Sequence, residues 1–434
     1  MDTEPVRGMR DFLPQEKLLR DYAKAKLASV FERFGYNPIE TPAFENWEIL
    51  ASKYAGGAEI LKETYRFSDQ GGRDIGLRYD QTVPTCRVFA NNPRLPIPFK
   101  MYQIQPVWRD GPIKLGRYRE FYQCDFDIFG VQGQSADAET IAVIQAVYEE
   151  FGFKGKLKLN NRKILNGLLE LCDVKKEETM PVILSVDKLE KIGAEEVAKE
   201  MEGRGVPPAT AKKVLKLFFE LDSLGNGKVM PRLKELLKSG EGLEGVKEME
   251  ELLDYLDIYG VNSGFYEIKT TLARGLTYYN SAIYEGYIDG SPIKSSICGC
   301  GRYDNMVGEF AGKGKVPATG GSFGFEVICE ALKLRGEKVR KSVVEAFVIP
   351  VKGREEAFAA ASKLRGLGVN ASIDLLERSV SKNLEFCSKQ EIPFAVIVGE
   401  KEAKAGKVTL RDMKSGEEKM LEAEEAAEKI KRQA

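Results

Sequence analysis

Residues 102–130 read YQIQPVWRDGPIKLGRYREFYQCDFDIFG. Arg109, Arg117 and Arg119 fall within eleven residues, flanked by short apolar or aromatic runs. Val107 and Trp108 read as the end of one strand, and Phe121–Phe129 as the next. On the second strand Gln123, Asp125 and Asp127 alternate, which places three polar groups on one face. A loop that carries cations between two strands can clamp a polyphosphate, because a guanidinium meets phosphate as a planar fork. The neighbouring carboxylates can grip an ammonium or an imidazole. A solvated hairpin would carry the same charges. The ordered succession of strand, cations and strand with acceptors on one face is what argues for a site.

The same stretch resembles motif 2 of class II aminoacyl-tRNA synthetases in the form found in histidyl-tRNA synthetases. GRYREFYQ followed by CDFDIFG resembles the archaeal and eukaryotic branch of that family. The similarity runs nearly end to end. VRGMRDFLP (6–14) resembles the family's opening, and ETPAFE (40–45) holds a motif 1-like Pro42. LRYDQTVP (77–84) is similar to a substrate-binding strand, LARGLTYY (272–279) to the histidine-specific signature, and GRYDNMVGEF (301–310) to a Gly-rich turn. The resemblance implies an α+β catalytic domain, an antiparallel sheet with helices, over 1–335. It implies a helical insertion at about 171–260 and a C-terminal α/β anticodon-binding domain over 342–434. The implied activity is histidine–tRNA ligation: L-histidine and ATP form histidyl-adenylate, and the histidyl group passes to the 3′ end of tRNA(His). Mg2+, a homodimer built through the motif 1 region and a cytoplasmic setting come with it.

Residue roles carry over position by position. Arg109 matches the arginine that grips the α-phosphate and the substrate carboxylate, and Phe121 the ring that stacks on adenine. Arg274 matches an arginine that reaches the α-phosphate from the opposite side. Asp80, Thr82 and Gln123 match positions that hold the α-ammonium. Asp127 and Tyr279 match those that bond the two ring nitrogens, with Tyr278 beside them. A carboxylate and a phenol together can recognise a ring with two nitrogens, which a purely apolar pocket cannot do sharply.

Four departures stand out. Thr277 replaces the Asp of RGLDYY, and Cys298 and Cys300 stand where GGGRYD leads to an expectation of glycine. Val327 occupies the place of the motif 3 arginine that meets the γ-phosphate, so Arg117 becomes the candidate for that role. The motif 2 acid expected two residues after Arg109 is Gly111, with Asp110 one residue early. Two other readings follow from the same fold: a histidine-binding paralogue such as the regulatory subunit of ATP phosphoribosyltransferase, or a catalytically dead RNA-binding scaffold.

Composition narrows the chemistry. The 434 residues hold 65 basic and 66 acidic side chains, so tRNA would be met by local patches rather than bulk charge. Seven scattered cysteines are an odd, unpatterned set, which suggests a reducing cytoplasm rather than a disulfide framework. Cys298 and Cys300 are a close pair without further soft ligands nearby, so packing is the simpler role and no metal site is read. No apolar run is long enough to cross a membrane. The chain contains no histidine. That excludes histidine general bases, Ser-His triads and histidine metal ligands, and Tyr122 stands where many relatives carry histidine. Catalysis is left to arginine, carboxylates and bound metal, which suits a displacement whose main demand is charge stabilisation.

Local patterns fill in the rest. Ala23, Leu27, Val30, Phe31 and Phe34 share one face of a helix over 16–34, with Gly35 as its stop. Residues 37–44 read as extended, since Pro38 and Pro42 oppose helix. Tyr65–Phe67 and Gly76–Tyr79 read as strands around the turn DQGGR. Val214, Leu217, Phe218 and Leu221, and then Met249, Leu252, Leu253 and Leu256, form helical stripes in the insertion. After the charged stretch LRGEKVRKS comes a βαβαβ alternation: AFVIPV, 355–365, 369–375, 379–389 and FAVIVG.

Overall fold

The computed structural model describes residues 3–52, 61–113, 116–274, 278–312 and 314–433. The chain forms two compact units. One holds Met1–Arg10 and Ala23–Arg335, the other Asp11–Tyr22 and Gly336–Ala434. In the second, the Tyr22 hydroxyl donates to Glu337 at 3.1 Å. The grouping of 11–22 with the C-terminal unit has no sequence signal.

The first unit is built on an eight-stranded sheet. Its spatial order is Asn37–Pro38, Phe99–Trp108, Glu120–Phe129, Ala318–Gly324, Cys298–Arg302, Ala282–Ile288, Gly155–Asn161 and Tyr266–Ile268. The six central strands are antiparallel, and only the two short edge strands pair parallel. The core face is apolar. Phe126 stacks on Phe31 with centroids 5.1 Å apart, and on Phe323 at 5.4 Å. Phe31 comes from the helix Pro14–Arg33, whose Ala23, Leu27 and Val30 are equally buried. That is the expected face, although Phe34 lies just beyond the helix and is only half-buried.

Two local expectations shift. The strands expected at 65–67 and 76–79 are Arg66–Ser68 and Asp74–Leu77, paired antiparallel. LRYDQTVP is therefore not one strand. The strand stops at Leu77, and Thr82 opens the helix Thr82–Asn91. The cause is local: the Asp80 carboxylate accepts the Val83 amide at 3.2 Å, satisfying a donor of the first turn. Pro84 falls in that same turn, where it needs no partner for a missing N–H.

The insertion is helical, with Lys176–Val186, Leu189–Gly203, Pro208–Asp222, Asn226–Leu236 and Gly240–Ile258. Val214, Phe218, Leu221, Met249, Leu252 and Leu256 are buried, whereas Leu217 and Leu253 sit at the margins. The second unit carries a five-stranded sheet in which Ala346–Pro350 lies between Ala371–Ile373 and Phe394–Val398, all parallel. Two further antiparallel strands, Val408–Asp412 and Glu418–Leu421, extend it. Among the described residues, no helix is long and apolar enough to cross a membrane.

Candidate functional site

The pairing register lays out the site row by row. Asp127 is paired with Gly320, and Gly320 with Gly301; Asp125 is paired with Ser322, and Ser322 with Gly299. Side chains alternate across a strand, so these rows share one face. The intervening rows, Phe126–Gly321–Cys300–Tyr284 and Cys124–Phe323–Cys298–Gly286, point into the core. The departure at Cys298 and Cys300 is thereby explained. Both thiols are buried behind the sheet: a side chain at Gly286 would meet Cys298 Sγ, and one at Gly321 would overlap Cys300. Burial pushes the Cys300 thiol well up.

The site face needs its glycines for a different reason. A Cβ at Gly299 would overlap the Arg274 guanidinium. One at Gly301 would come within 2.7 Å of the Tyr279 ring, and one at Gly320 would overlap Asp127 Oδ1. The bare backbone is the bed on which these three side chains lie.

Arg274 adopts φ +47°, a left-handed conformation unusual for arginine. Its Nη1 donates to the Tyr284 carbonyl at 3.3 Å, and its own carbonyl accepts from Arg162 Nη2 at 3.1 Å. Burial works against its charge, but Tyr279, Glu285 and Tyr278 more than offset that and hold the guanidinium above the ordinary arginine value. Burial pulls Arg162 down to about 10, still a cation at neutral pH. The Arg274 guanidinium lies 5.3 Å from the Tyr279 ring centre, and the Tyr278 and Tyr279 rings are 4.5 Å apart. Burial pushes the Tyr279 hydroxyl up to about 12, so it is neutral at pH 7. Tyr278 is raised as well, first by burial and then by Tyr279 and Asp80. Thr277 lies outside the described residues.

Arg109 is held from several sides. Its Nε donates to the Tyr79 carbonyl at 3.1 Å. Its guanidinium lies over the Tyr79 ring at 4.1 Å and 5.0 Å from that of Phe121. Arg117 pairs with Glu63 at 3.4 Å, and Tyr79 donates to the same carboxylate at 3.3 Å. A Cβ at Gly111 would stand 3.2 Å from the Glu63 carboxyl. The acid missing at 111 thus has a neighbouring counterpart, which the sequence reading did not single out. Asp110 instead pairs with Arg119 at 2.9 Å.

Val327 is 5% exposed, with its Cγ2 near Gly116 and Gly324. Beside it, Glu326 is engaged by Arg10 at 2.6 Å and accepts the Tyr122 amide at 3.4 Å. Gln123 lies between Gln105 and Gly324 in the sheet. Its Oε1 is a buried acceptor with no hydrogen-bond partner among the described residues, as is that of Gln81. Gln81 Nε2 donates to the carbonyls of Gln105 and Gln123. Buried acceptors of this kind call for a donor from outside the described side chains, an ordered water or a ligand. Thr82 is half-buried at the start of its helix. Tyr79, Gln81, Glu63 and Tyr303 belong to the cluster and were not singled out from sequence, although GRYDN contained Tyr303.

Known proteins are similar to this chain in sequence and fold. A family model described as histidyl-tRNA synthetase matches residues 8–328, and one described as anticodon binding domain matches 345–433. Histidine–tRNA ligase 2 of Shouchella clausii is 38% identical, over 96% of this chain and 97% of that one. The crystal structure of histidyl-tRNA synthetase from Nostoc sp. superposes with a TM-score of 0.85 at 30% identity, each chain fully covered. A Bacillus halodurans structure titled ATP phosphoribosyltransferase regulatory subunit/histidyl-tRNA synthetase superposes at 0.75 with 22% identity, covering 92% of this chain and 98% of that one. At that identity the likeness is one of fold alone. These relatives are bacterial, so the archaeal and eukaryotic branch expected from GRYREFYQ and CDFDIFG is not supported.

Proposed function

The chain belongs to the histidyl-tRNA synthetase family and is a histidine–tRNA ligase, and from that premise we propose how its residues divide the work. Histidine's carboxylate attacks the α-phosphate of ATP, pyrophosphate leaves, and the adenylate then passes its histidyl group to tRNA. Negative charge gathers on the α-phosphate in the first step. Arg109 and Arg274 are the two fixed cations that receive it. Both are fastened by carbonyl groups and aromatic rings before substrate arrives, so little reorganisation is needed at the moment of reaction.

Asp80, Thr82 and Gln123 take the α-ammonium; the partnerless acceptor of Gln123 supports this, and Gln81 supplies a second one. Asp127 and Tyr279 take the ring nitrogens, with Tyr278 against Tyr279. Tyr279 is a neutral hydroxyl at pH 7, as a phenol ordinarily is, and burial raises its value further; it can donate to one ring nitrogen while Asp127 accepts from the other. Phe121 stacks on adenine. Arg117 turns from Glu63 to the γ-phosphate, in place of the arginine missing at Val327. Mg2+ fits as an ion carried by ATP: among the described residues no group of three or more carboxylates or thiols could hold a metal, and Mg2+ in phosphate sites is bound largely by substrate oxygens and water. It would neutralise phosphate charge there.

The domains divide at residues 1–335 and 342–434, and the second binds the anticodon of tRNA(His). Two copies pair through the motif 1 region, where Phe44 is 54% exposed against a similarly exposed Phe67. The setting is cytoplasmic, in keeping with seven buried cysteines that form no disulfide among the described residues. The observation that carries the assignment of residues is the glycine bed against which Arg274, Tyr279 and Asp127 lie. The expected result is ATP–pyrophosphate exchange with histidine and with no other standard amino acid, followed by charging of tRNA(His). Histidine binding without exchange would instead favour the regulatory paralogue, a reading already weakened by Arg274 and by the anticodon-binding match over 345–433.

A further inference from the structure

Tyr303 closes the strand Cys298–Arg302 and sits immediately before the helix Asp304–Ala311. It is 1% exposed. Its amide donates to the Ala318 carbonyl at 2.8 Å. The preceding Arg302 is pinned by Asp137, at 2.9 Å through Nε and 2.5 Å through Nη2, and by the carbonyls of Val131 and Gly133. The backbone that presents Tyr303 is therefore fixed on both sides. The ring meets Tyr278 edge to face at 6.0 Å, and Phe129 likewise at 6.3 Å. The hydroxyl donates to Asp127 Oδ1 at 2.6 Å.

We propose that Tyr303 is a specificity-positioning residue: its hydroxyl fixes the rotation of the Asp127 carboxylate while its ring supports Tyr278, so that the two halves of the imidazole pocket are set against each other by one side chain. The inference rests on the reading of Asp127 as an acceptor for a ring N–H. A carboxylate rotates about its last bond with little restraint. Gly320 leaves room beside Oδ1 and offers no side chain to restrain it. The Tyr303 hydroxyl supplies one such restraint, in a buried site where a donor to a carboxylate is strong. The remaining oxygen is then aimed at the ring before histidine arrives. Tyr303 itself need not touch the reacting atoms.

Tyr303→Phe removes the hydroxyl and keeps the ring. In histidine-dependent ATP–pyrophosphate exchange, the KM for histidine should rise by about tenfold or more, as for a lost hydrogen bond to a charged group. The KM for ATP and the kcat at saturating histidine should change by less than about threefold. Preference for histidine over β-thienylalanine, a five-membered ring without N–H, should fall in the same proportion. Asp127→Asn and the double variant run beside it. Because Tyr303 acts through Asp127, its effect should largely disappear in the Asp127→Asn background. A Tyr303→Phe enzyme with unchanged histidine KM, beside an Asp127→Asn enzyme with a raised one, overturns the proposal and leaves the pocket reading intact. An unchanged histidine KM in Asp127→Asn removes the pocket reading, and the proposal with it. Equal losses in kcat and in the KM values of both substrates, together with a lowered melting temperature, would show that Tyr303 only supports the fold.

Discussion

Arg274→Ala is expected to slow histidine-dependent ATP–pyrophosphate exchange by about 10²- to 10³-fold, the effect of losing one preorganised donor to a developing oxyanion, or about 2.7–4 kcal/mol in barrier. The geometry argues for the upper part of that range. Arg274 is held in a left-handed backbone conformation at φ +47°, and such strain persists where the surroundings over-determine it. Arg162 grips its carbonyl, and Gly299 is bare where any side chain would overlap its guanidinium. So much fixing of a single cation serves a group that must be in place before charge appears. Histidine affinity should change by much less, because the proposed ring and ammonium contacts are those of Asp127, Tyr279 and the Asp80–Gln123 cluster. The split between kcat and histidine KM is the measurement. Arg274→Lys should restore little, since an ammonium cannot reproduce the planar fork. Near-normal exchange by Arg274→Ala would remove this residue from the catalytic role and leave Arg109 as the principal cation on the phosphate.

The parts of this site that could be read from sequence are those whose signal is local. The hairpin around Arg109, the alternation Gln123–Asp125–Asp127 and the apolar stripe of Ala23, Leu27, Val30 and Phe31 depend on periods of two or 3.6 residues, and the structure has all three. What could not be read depends on distant pairing. The strand beside Asp127 is Ala318–Gly324, nearly two hundred residues away in the chain. Without that register, CGCGR is only a run of small residues. With it, the glycines face Arg274 and Tyr279 and the cysteines face the core. Tyr303 was legible as part of GRYDN but not as a partner of Asp127, because their contact also spans the sheet. The end of LRYDQTVP was misread for a local reason: a carboxylate two residues before the helix's first turn outweighed the strand-like Leu77, Tyr79 and Val83. The helix Ala423–Gln433 went unread because its buried face is Ala423, Ala426, Ala427 and Ile430, mostly small residues amid charge.

A translation mixture depleted of histidine should still make this chain at close to its full rate, while a histidine-containing relative supplied in the same mixture stalls at its first histidine codon. None of the 434 residues is histidine, so no elongation step consumes the product of the enzyme. For a ligase of this specificity the consequence is particular. Where such an enzyme contains histidine, a shortage of charged tRNA(His) slows synthesis of the catalyst that relieves it, and the deficit feeds on itself. Here that loop is open. The composition is tolerable for function on the proposed assignment, which draws on arginines, carboxylates, amides and phenols, and at Tyr122 the ring lies 3.6 Å beneath the Lys24 ammonium and 5.8 Å from Phe325. An aromatic face under a cation asks for a quadrupole rather than a titrating nitrogen. Replacement of histidine alone does not account for Val327 or for Cys300, which stand where the family pattern has arginine and glycine; GGGRYD falls on 299–304, so Cys298 precedes it, and both thiols are explained by the core they face. The measurement is the yield of full-length chain with and without histidine, for both messages. Equal loss of both products on depletion would show that the absence of histidine gives this enzyme no independence from its own product.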